Sequence, residues 1–375
     1  MQTGCKKDIM YLCVNYSNIM YTNNLYYYMK IGFFIRHFTE RGTEVAAYDY
    51  AKYNEDILHN TSYIICFTEF AQKQFGFPLE RASYDKFKSR FEIIEINDIA
   101  EMQNVITNYK LDIFYTLTHG GADFYKFNDN TIWGSCKTIK HCVFNTRNPE
   151  GDLYLSISSH LNNNFHTNIP VLPHIVDLPN INENIRDELH LPVDAIVIGR
   201  HGGYHQFDLS IARNAIKQFL LNSANNNVYF LFMNTKRFYN HPRIIYLERS
   251  VDLFYKTKFI NTCDAMIHAR RDGETFGLAI AEFSIRNKPI ITCPCGDLEH
   301  ILILKDKAIT YNNMNELIDI FSNIKQIIAK HEDWNCYREY TPELVMSKFN
   351  NLITPLFYTK PNDKVNAVLP VVDIN

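Results

Sequence analysis

Residues 264–294 (DAMIHARRDGETFGLAIAEFSIRNKPIITCP) form the stretch that most restricts how this chain can fold. A short apolar run at 265–268 predicts a strand, and a charged loop with a glycine follows it. The apolar segment 276–285 has the length of a helix, and residues 289–292 predict a second strand. Strand, loop, helix and strand in this order are typical of α/β domains with parallel sheets.

Two carboxylates frame this helix, Glu274 at its entrance and Glu282 eight residues later. Eight residues are a little over two helical turns, so both side chains can face one ligand. Free backbone amides at the helix start attract phosphate, and they belong to Thr275, Phe276, Gly277 and Leu278. Gly277 allows close approach to the backbone. These features match a sugar linked to a nucleoside diphosphate, although an acidic first turn followed by one solvated glutamate also fits them.

The sequence ETFGL from Glu274, together with Glu282 and the segment NKPIIT at 287–292, resembles a known motif. It is similar to the E-x7-E donor-site motif of retaining glycosyltransferases of the GT-B fold, most closely those of family 4. Thr275 and Asn287 stand where glycines are common in that family. The resemblance implies two facing Rossmann-like doubly wound α/β domains, with the donor in the second and the acceptor in the first.

Length and charge agree with this organisation. The chain has 375 residues, of which 46% are hydrophobic, which suits two buried cores better than one. Its net charge of −3 provides no broad basic surface, so charge does not indicate a nucleic-acid partner. The sequence contains no P-loop, zinc-finger or G-x-G-x-x-G motif.

Cellular location is predicted from three features. No apolar stretch is long enough to cross a bilayer. The apolar run near the start stops at Asn15 without a cleavage site after it, so we expect a buried first strand rather than a signal peptide. The nine cysteines lack paired spacing, which favours reduced thiols and a cytoplasmic location.

The first 179 residues alternate short apolar runs with longer mixed segments, which predicts a parallel sheet covered by helices. We predict helices over residues 19–41 and 99–109. The predicted strands lie at 9–14, 44–48, 63–66, 91–96, 112–117 and 142–145.

Ligands of such sheets bind beyond the carboxyl ends of the strands, where two loops are of interest. Residues 15–24 follow the first predicted strand, and the corresponding loop faces the cleft in GT-B enzymes. His119 follows the strand at 112–117 and precedes Gly120 and Gly121, which leave room for a substrate. The resemblance implies that His119 points at the donor sugar, whereas a locally hydrogen-bonded loop histidine is the simpler alternative.

Three prolines stiffen residues 168–179, and this segment resembles the crossing between the two domains. We therefore predict an acceptor-side domain over 1–179 and a nucleotide-sugar-binding domain over 180–333. By the same resemblance, residues 334–375 contain helices that cross back onto the first domain.

Within the second domain, strands are predicted at 195–199, 227–233, 244–247 and 307–310, and helices at 207–221, 251–261 and 315–329. A last helix is predicted at 342–356.

The first strand of the second domain runs into Arg200, followed after one residue by Gly202 and Gly203. Arg200 resembles the donor-phosphate arginine of the family, whose guanidinium can hold two phosphate oxygens. The family usually places a lysine about five residues later, where this chain has His205. Either another cation replaces it, Lys236 or Arg271, or stabilisation of the diphosphate is weaker than in the family.

The sequence thus predicts a retaining glycosyltransferase that moves a sugar from a UDP- or GDP-sugar to a hydroxyl of a glycan or another acceptor. The resemblance assigns the sugar hydroxyls to Glu274, the ribose hydroxyls to Glu282 and orientation of the sugar to His119. Arg200 and the amides near Gly277 would bind the diphosphate. The departing phosphate would take the acceptor proton, so neither a protein nucleophile nor a metal is required, and no Asp-x-Asp pair is placed to hold one.

Two other functions fit part of the sequence. The missing lysine favours a GT-B-like module that binds a nucleotide sugar or a glycan without turning it over. Nucleotide-sugar epimerases and glycan phosphorylases share the fold, but the catalytic acids of an epimerase and the chain length of a phosphorylase are missing. The 24 Tyr and 26 Phe, with abundant Asn, Ile and Lys, resemble products of AT-rich genomes such as those of large DNA viruses.

Overall fold

A computed structural model describes most of the chain, namely residues 28–39, 42–77, 79–123, 125–221, 227–330 and 332–357. Two six-stranded sheets, each entirely parallel, form the centres of two domains. Helices alternate with the strands in both. The prediction of an α/β protein with two Rossmann-like doubly wound domains is confirmed.

The first domain contains six strands and six helices. The strands are β1 (Lys30–Ile35), β2 (Thr61–Phe67), β3 (Glu92–Ile96), β4 (Ile113–Thr118), β5 (Lys137–Cys142) and β6 (Leu153–Ser156). The helices are α1 (Gly42–Asp56), α2 (Glu69–Phe75), α3 (Arg81–Lys88), α4 (Met102–Tyr109), α5 (Asn130–Trp133) and α6 (Ser159–Phe165).

The second domain has a six-stranded sheet and one short accessory pair of strands. Its strands are β7 (Ile196–Arg200), β8 (Val228–Met233), β9 (Ile244–Leu247), β10 (Ala265–Ile267), β11 (Gly273–Glu274), β12 (Ile290–Thr292), β13 (Asp297–Leu298) and β14 (Ile309–Thr310). Its helices are α7 (Ser210–Leu221), α8 (Leu253–Thr262), α9 (Leu278–Ile285), α10 (Glu299–Leu304), α11 (Met314–Ser322) and α12 (Ile324–Ile328), and α13 (Pro342–Ile353) follows them. β11 pairs with β13 outside the main sheet.

Both sheets follow the same winding rule. The first has the order β3-β2-β1-β4-β5-β6, and the second has the order β9-β8-β7-β10-β12-β14. The direction of winding reverses between β1 and β4 and again between β7 and β10. A crevice opens at such a reversal beyond the carboxyl ends of the strands, and ligands of this fold class bind there. His119 follows β4, and Arg200 ends β7, so both lie at reversal points.

The first strand of the described sheet is not where the sequence analysis placed it. Lys30–Ile35 is a buried strand, although residues 19–41 were predicted to be a helix. Its run of Gly32, Phe33 and Phe34 is short and β-prone, but it lies inside a long mixed segment that matches helix length. The predicted strand at 9–14 and loop at 15–24 lie outside the described residues.

Two further strand predictions in the first domain are wrong. Residues 44–48 belong to α1, whose buried residues recur with helical spacing at Ala46, Ala47, Tyr50 and Ala51. A short apolar run cannot distinguish a strand from a buried helical turn. The strand predicted at 142–145 is instead Lys137–Cys142, with the sequence KTIKHC. Because this strand contains lysines and a histidine, it does not show the apolar run by which strands were predicted.

Lys140 shows why so polar a strand can be buried. Its side chain is fully buried in β5, where its Nζ lies 3.0 Å from Asp123 and 2.8 Å from Glu150. A buried ammonium is tolerated when carboxylates neutralise it. The two acids lie 17 residues before and 10 residues after Lys140, so local pattern gives no sign of the pairing.

The segment between the domains contributes to both cores. Leu172 and Ile175 pack into the core of the first domain. Val176 and Leu178 pack into the core of the second domain. The Tyr50 hydroxyl donates to the Pro173 carbonyl at 2.5 Å, which ties α1 to the same segment. A segment buried on both sides in this way restrains how the domains can shift.

The chain returns to the first domain only after residue 340. Tyr337 still packs in the second core, where its hydroxyl donates to the Phe276 carbonyl at 2.8 Å. Val345, Met346 and Phe349 of α13 pack in the first core. Residues 358–375 lie outside the described part of the chain. Within that part, no helix combines the length and apolar character that a membrane span requires.

Candidate functional site

A cleft of about 630 Å³ lies between the two domains at the carboxyl ends of their strands. The first domain contributes His119 and Phe144, and the second contributes Arg270, Arg271, Asp272, Gly296 and Asp297. The structure therefore places His119 opposite the loop that precedes Glu274. These two parts of the predicted site are 155 residues apart in sequence.

The side chain of His119 is exposed and packs against Phe144, with ring centroids 5.4 Å apart. Gly120 does not provide space for a substrate, because a Cβ atom there would lie 1.7 Å from the Asn145 carbonyl oxygen. Its positive φ of 98° and this close approach make it a structural glycine. Only Gly121 has open space around its Cα, with the His119 ring 3.9 Å from a Cβ atom built there.

Glu274 lies in a network of charged and polar side chains. Its carboxylate accepts a hydrogen bond from Arg270 at 3.0 Å and contacts His268 Nε2 at 3.2 Å. His268 in turn contacts Thr292 Oγ1 at 2.9 Å, and Thr292 contacts His300 at 3.1 Å. These contacts fix the orientation of the carboxylate, whose side chain is 19% exposed.

Electrostatics keep Glu274 ionised. Burial alone would raise the pKa of this carboxyl, but the hydrogen bond and charge of His268 and the charge of Arg270 outweigh burial and lower it to about 2. Glu274 therefore stays a hydrogen-bond acceptor at any physiological pH. An acceptor of this kind suits hydroxyl groups and cannot serve as a general acid.

Glu282, one turn into α9, is also ionised and already paired. One oxygen lies 2.9 Å from His201 Nε2, and the other accepts from the Lys256 ammonium. Burial would raise the pKa of Glu282, but the charges of Lys256 and His201 lower it to about 2. Its side chain is only 5% exposed. Additional ribose contacts would have to use the remaining lone pairs of these oxygens.

The helix after Glu274 starts two residues later than predicted. Gly277 precedes α9 with φ +84° and ψ +60°, and the Ala281 amide is the first to bond back to the Gly277 carbonyl. The amides of Leu278, Ala279 and Ile280 are therefore the free ones of the first turn. Thr275 and Phe276 come before the helix and are buried. Phe276 packs against Tyr337, with ring centroids 5.5 Å apart.

Replacing Gly277 by alanine should lower the free energy of unfolding by about 1–2 kcal/mol, because the left-handed conformation disfavours a Cβ atom. A Cβ there would also lie 3.3 Å from Glu274 Cβ. Urea denaturation measures the change. Gly42→Ala is the matched control, since a Cβ at Gly42 meets nothing within 4 Å. Equal stability of the two variants would contradict a conformational requirement at Gly277.

Arg200 is buried and makes three hydrogen bonds within the protein. Its guanidinium donates to Thr235 Oγ1 at 2.6 Å, to the Asn234 carbonyl at 3.2 Å and to the Gly203 carbonyl at 2.8 Å. Burial lowers the pKa of Arg200 to about 10, and the charge of Glu274 opposes this shift. Arg200 thus remains a cation at neutral pH, and it holds the loop of Gly202 and Gly203 in place.

The two cations proposed as substitutes for the family lysine lie in different places. Arg271 lines the interdomain cleft, while Lys236 lines a separate cavity. Sequence reasoning overlooked a better placed cation, Arg270, which directly precedes Arg271. Arg270 contacts Glu274 directly, lines the same cleft, and its side chain is 14% exposed. Its Nε atom is buried without a hydrogen-bond partner among the described residues.

Other functional residues were also missed because their partners are distant in sequence. His201 follows β7 and Lys256 lies in α8, so both are far from Glu282 in sequence. The structure places both on Glu282. Among the residues that the structure covers, no group of three or more His, Cys, Asp or Glu side chains is arranged to hold a metal ion.

Buried neutral histidines surround the site. Burial lowers the pKa of His300 to about 3 and that of His174 to about 4. His174 lies in the segment between the domains, with its ring centroid 5.2 Å from that of Phe276. His141 on β5 has a pKa lowered by burial to about 3, and its Nδ1 is 2.7 Å from the Tyr115 hydroxyl. Their imidazoles carry no charge at neutral pH.

Comparison with known proteins identifies the fold. No protein-family model and no curated protein matches the sequence. Among solved structures, a glycosyltransferase from Rickettsia africae is 15% identical with a TM-score of 0.62, covering 89% of this chain and 100% of its own.

Two further structures show the same architecture. HepE from Anabaena, solved with UDP and glucose, is 14% identical with a TM-score of 0.58, covering 87% of this chain and 100% of its own. A putative UDP-N-acetylglucosamine 2-epimerase from Listeria monocytogenes is 13% identical with a TM-score of 0.56, covering 90% of this chain and 99% of its own. The chain therefore has the two-domain GT-B fold along nearly its whole described length.

Proposed function

We propose that this protein is a retaining glycosyltransferase that uses a nucleoside-diphosphate sugar as donor. The observation that carries the proposal is the position of Glu274. Its carboxylate is ionised, pairs with Arg270 and contacts His268, and Arg270 lines the cleft with His119 on the opposite side. Several neighbours of the same fold are glycosyltransferases, and another neighbour was solved with UDP and glucose.

The diphosphate would lie where β7 and α9 approach each other. Gly202 and Gly203 follow β7, and the free amides at Leu278 begin α9. Amides at a helix start favour an anion because the positive end of the helix dipole lies behind them. Arg200 donates a hydrogen bond to the Gly203 carbonyl, which holds the glycine loop in place, and it adds its own positive charge. Glu282 on the same helix would take the ribose hydroxyls.

Arg270 is the cation that would replace the missing lysine. It lies beside Glu274, influences Arg200 electrostatically, and has an unpartnered Nε among the described residues. A guanidinium at this position can neutralise the charge that develops on the leaving phosphate. Arg270, with Arg200, would therefore supply the two cations that the family usually provides as an arginine and a lysine.

Sugar transfer then needs few protein groups. Glu274 would accept hydrogen bonds from the sugar hydroxyls near the reacting carbon, and His119 would orient the sugar from the first domain. The acceptor hydroxyl would attack from the face that the diphosphate leaves, and the departing phosphate would take its proton. The main catalytic resource is preorganised positive charge around that phosphate. The reaction is proposed to be independent of metal ions, to use UDP- or GDP-sugars, and to occur in the cytoplasm.

Nucleotide binding tests the donor site without knowledge of the acceptor. UDP or GDP should raise the melting temperature, since a ligand that binds only the folded protein stabilises it by mass action. Arg270→Gln should weaken binding of that nucleoside diphosphate about tenfold or more, which is typical for the loss of a charge-assisted hydrogen bond. Isothermal titration calorimetry measures both.

The controls separate the phosphate contact from other effects. Binding of the nucleoside without phosphates should not change in Arg270→Gln. Arg338→Gln removes an exposed arginine whose acid partner is Asp333, and it should bind like the wild type. If Arg271→Gln loses affinity and Arg270→Gln does not, Arg271 is the replacing cation. A wild type that binds no nucleoside diphosphate contradicts the proposed function.

A further inference from the structure

A second cavity, of about 380 Å³, lies on the second domain and shares no lining residue with the interdomain cleft. Three segments enclose it: the loop after β7, the first turns of α7, and the loop after β8. Its lining includes four cations, Arg213, Lys217, Lys236 and Arg237. Asp208 is the only acidic side chain among its lining residues.

These four cations lack the compensation found elsewhere in the protein. The chain as a whole has more acidic than basic residues, 41 against 38. Most buried and half-buried cations of the site pair with acids, as Arg270 and Lys256 do. Within the described residues, none of the four cavity cations forms a salt bridge. The single carboxylate among the lining residues, Asp208, accepts a hydrogen bond from the Arg271 amide at 2.8 Å. A concave surface with four uncompensated cations attracts anions.

Several contacts hold the cations around the cavity. Arg213 donates to the Asp208 carbonyl at 3.2 Å. Lys217 lies 5.8 Å from the ring centroid of Tyr239, and Arg237 lies 5.2 Å from that of Tyr246. The Lys236 amide donates to the Tyr204 carbonyl at 3.0 Å. Side chains that are already positioned lose less entropy when they bind a ligand.

The cavity also offers an aromatic wall. Tyr204 is half exposed, and Phe238 lies on the opposite segment. A volume of this size accommodates a small organic molecule and not a polymer. Phosphate oxygens would bind the cations, while a sugar-sized carbon skeleton would pack against Tyr204.

We propose that this cavity is a second anion-binding site, separate from the donor site, for a small phosphate monoester with a sugar-sized carbon part. The phosphoryl group binds among Arg213, Lys217 and Arg237, alongside the first turns of α7.

Calorimetric titration of the full chain with ribose 5-phosphate tests the proposal. The wild type should bind it, should bind ribose much more weakly, and should lose affinity as sodium chloride is raised from about 50 to 300 mM. Arg213→Gln and Lys217→Gln should each weaken binding about tenfold, the value of one charge-assisted hydrogen bond. Thermal unfolding shows whether each variant is folded.

Two matched variants locate the binding. Lys325→Gln removes an exposed lysine of α12 and should leave the affinity unchanged. Arg270→Gln alters the donor cleft and should also leave it unchanged. Loss of ribose 5-phosphate binding in Arg270→Gln but not in the cavity variants would place the phosphate in the donor site and overturn the proposal. Absence of binding to the wild type would overturn it as well, and so would wild-type affinity in folded Arg213→Gln and Lys217→Gln proteins.

Discussion

Replacing Glu274 by glutamine should lower the rate of sugar transfer by about two to three orders of magnitude, the usual effect of removing one preorganised electrostatic contact at a reacting centre. Glutamine keeps the shape of the side chain but loses the charge. Binding of the free nucleoside diphosphate should change little, because the proposed contact is to the sugar. Steady-state kinetics and nucleotide titration separate the two effects.

Glutamine is a better test than alanine for a structural reason. The carboxylate pairs with Arg270 and contacts His268, so its removal leaves a half-buried guanidinium without a partner. Loss of activity in Glu274→Ala would mix chemistry with a disturbed loop. Glu299→Gln, in the neighbouring α10, is a control that also removes a partly buried carboxylate and should retain activity. Wild-type turnover in Glu274→Gln would contradict the assigned role.

Acidification from pH 6.5 to pH 5.5 should lower the free energy of unfolding by about 2 kcal/mol. His141, His174 and His300 have folded-state pKa values lowered by burial to about 3, 4 and 3. The unfolded chain binds protons at these histidines below about pH 6.5, whereas the folded protein does not. Stability contributed by the neutral imidazoles is therefore complete well above pH 6.5 and falls as the pH drops through this value, by about 1 kcal/mol per histidine between pH 6.5 and 5.5.

Acidic groups modify this slope in a defined way. Burial raises the pKa of Asp49 to about 7, so the folded protein binds a proton there first, and this offsets about one histidine. The paired carboxylates Glu274 and Glu282 have lowered pKa values, and their contribution is lost only below about pH 4.5. The window from pH 6.5 to 5.5 therefore reports mainly on the histidines.

Urea denaturation at several pH values measures the slope. His300→Gln should reduce the loss of stability between pH 6.5 and 5.5 by about 1 kcal/mol, since one titrating group is removed. His205→Gln, which replaces an exposed histidine, should leave the slope unchanged. A stability that does not vary over this window would contradict the burial of neutral histidines around the site.

The second domain could be predicted from sequence more closely than the first. Its strands, such as Val228–Met233 and Ile244–Leu247, are continuous apolar runs between turn residues, the pattern of strands buried on both faces. In the first domain, the central strand Lys137–Cys142 contains a lysine and a histidine. Lys140 is tolerated there only because two distant acids neutralise it. No local pattern contains that information.

In the candidate site, too, contacts between residues that are distant in sequence could not be predicted. Helical periodicity could not relate Glu274 to Glu282, because Glu274 lies in β11 and only Glu282 lies in α9. The choice between Arg270 and Arg271 was not accessible, because it depends on how the loop turns at Gly273. This glycine has a φ of +64°, and a Cβ atom there would lie 2.1 Å from the Asp297 carbonyl oxygen. The pairing of Glu282 with Lys256 and His201 likewise depends on three separate elements meeting in space.

Sugar transfer itself is the central claim, and nuclear magnetic resonance of the reaction products tests it most directly. The protein would be incubated with UDP- and GDP-sugars and a mixture of hydroxyl acceptors, with Glu274→Gln in parallel. We predict release of a nucleoside diphosphate by the wild type only, and a product whose anomeric configuration matches that of the donor. Binding without release of nucleoside diphosphate, or a product of inverted configuration, would contradict the proposed retaining transferase.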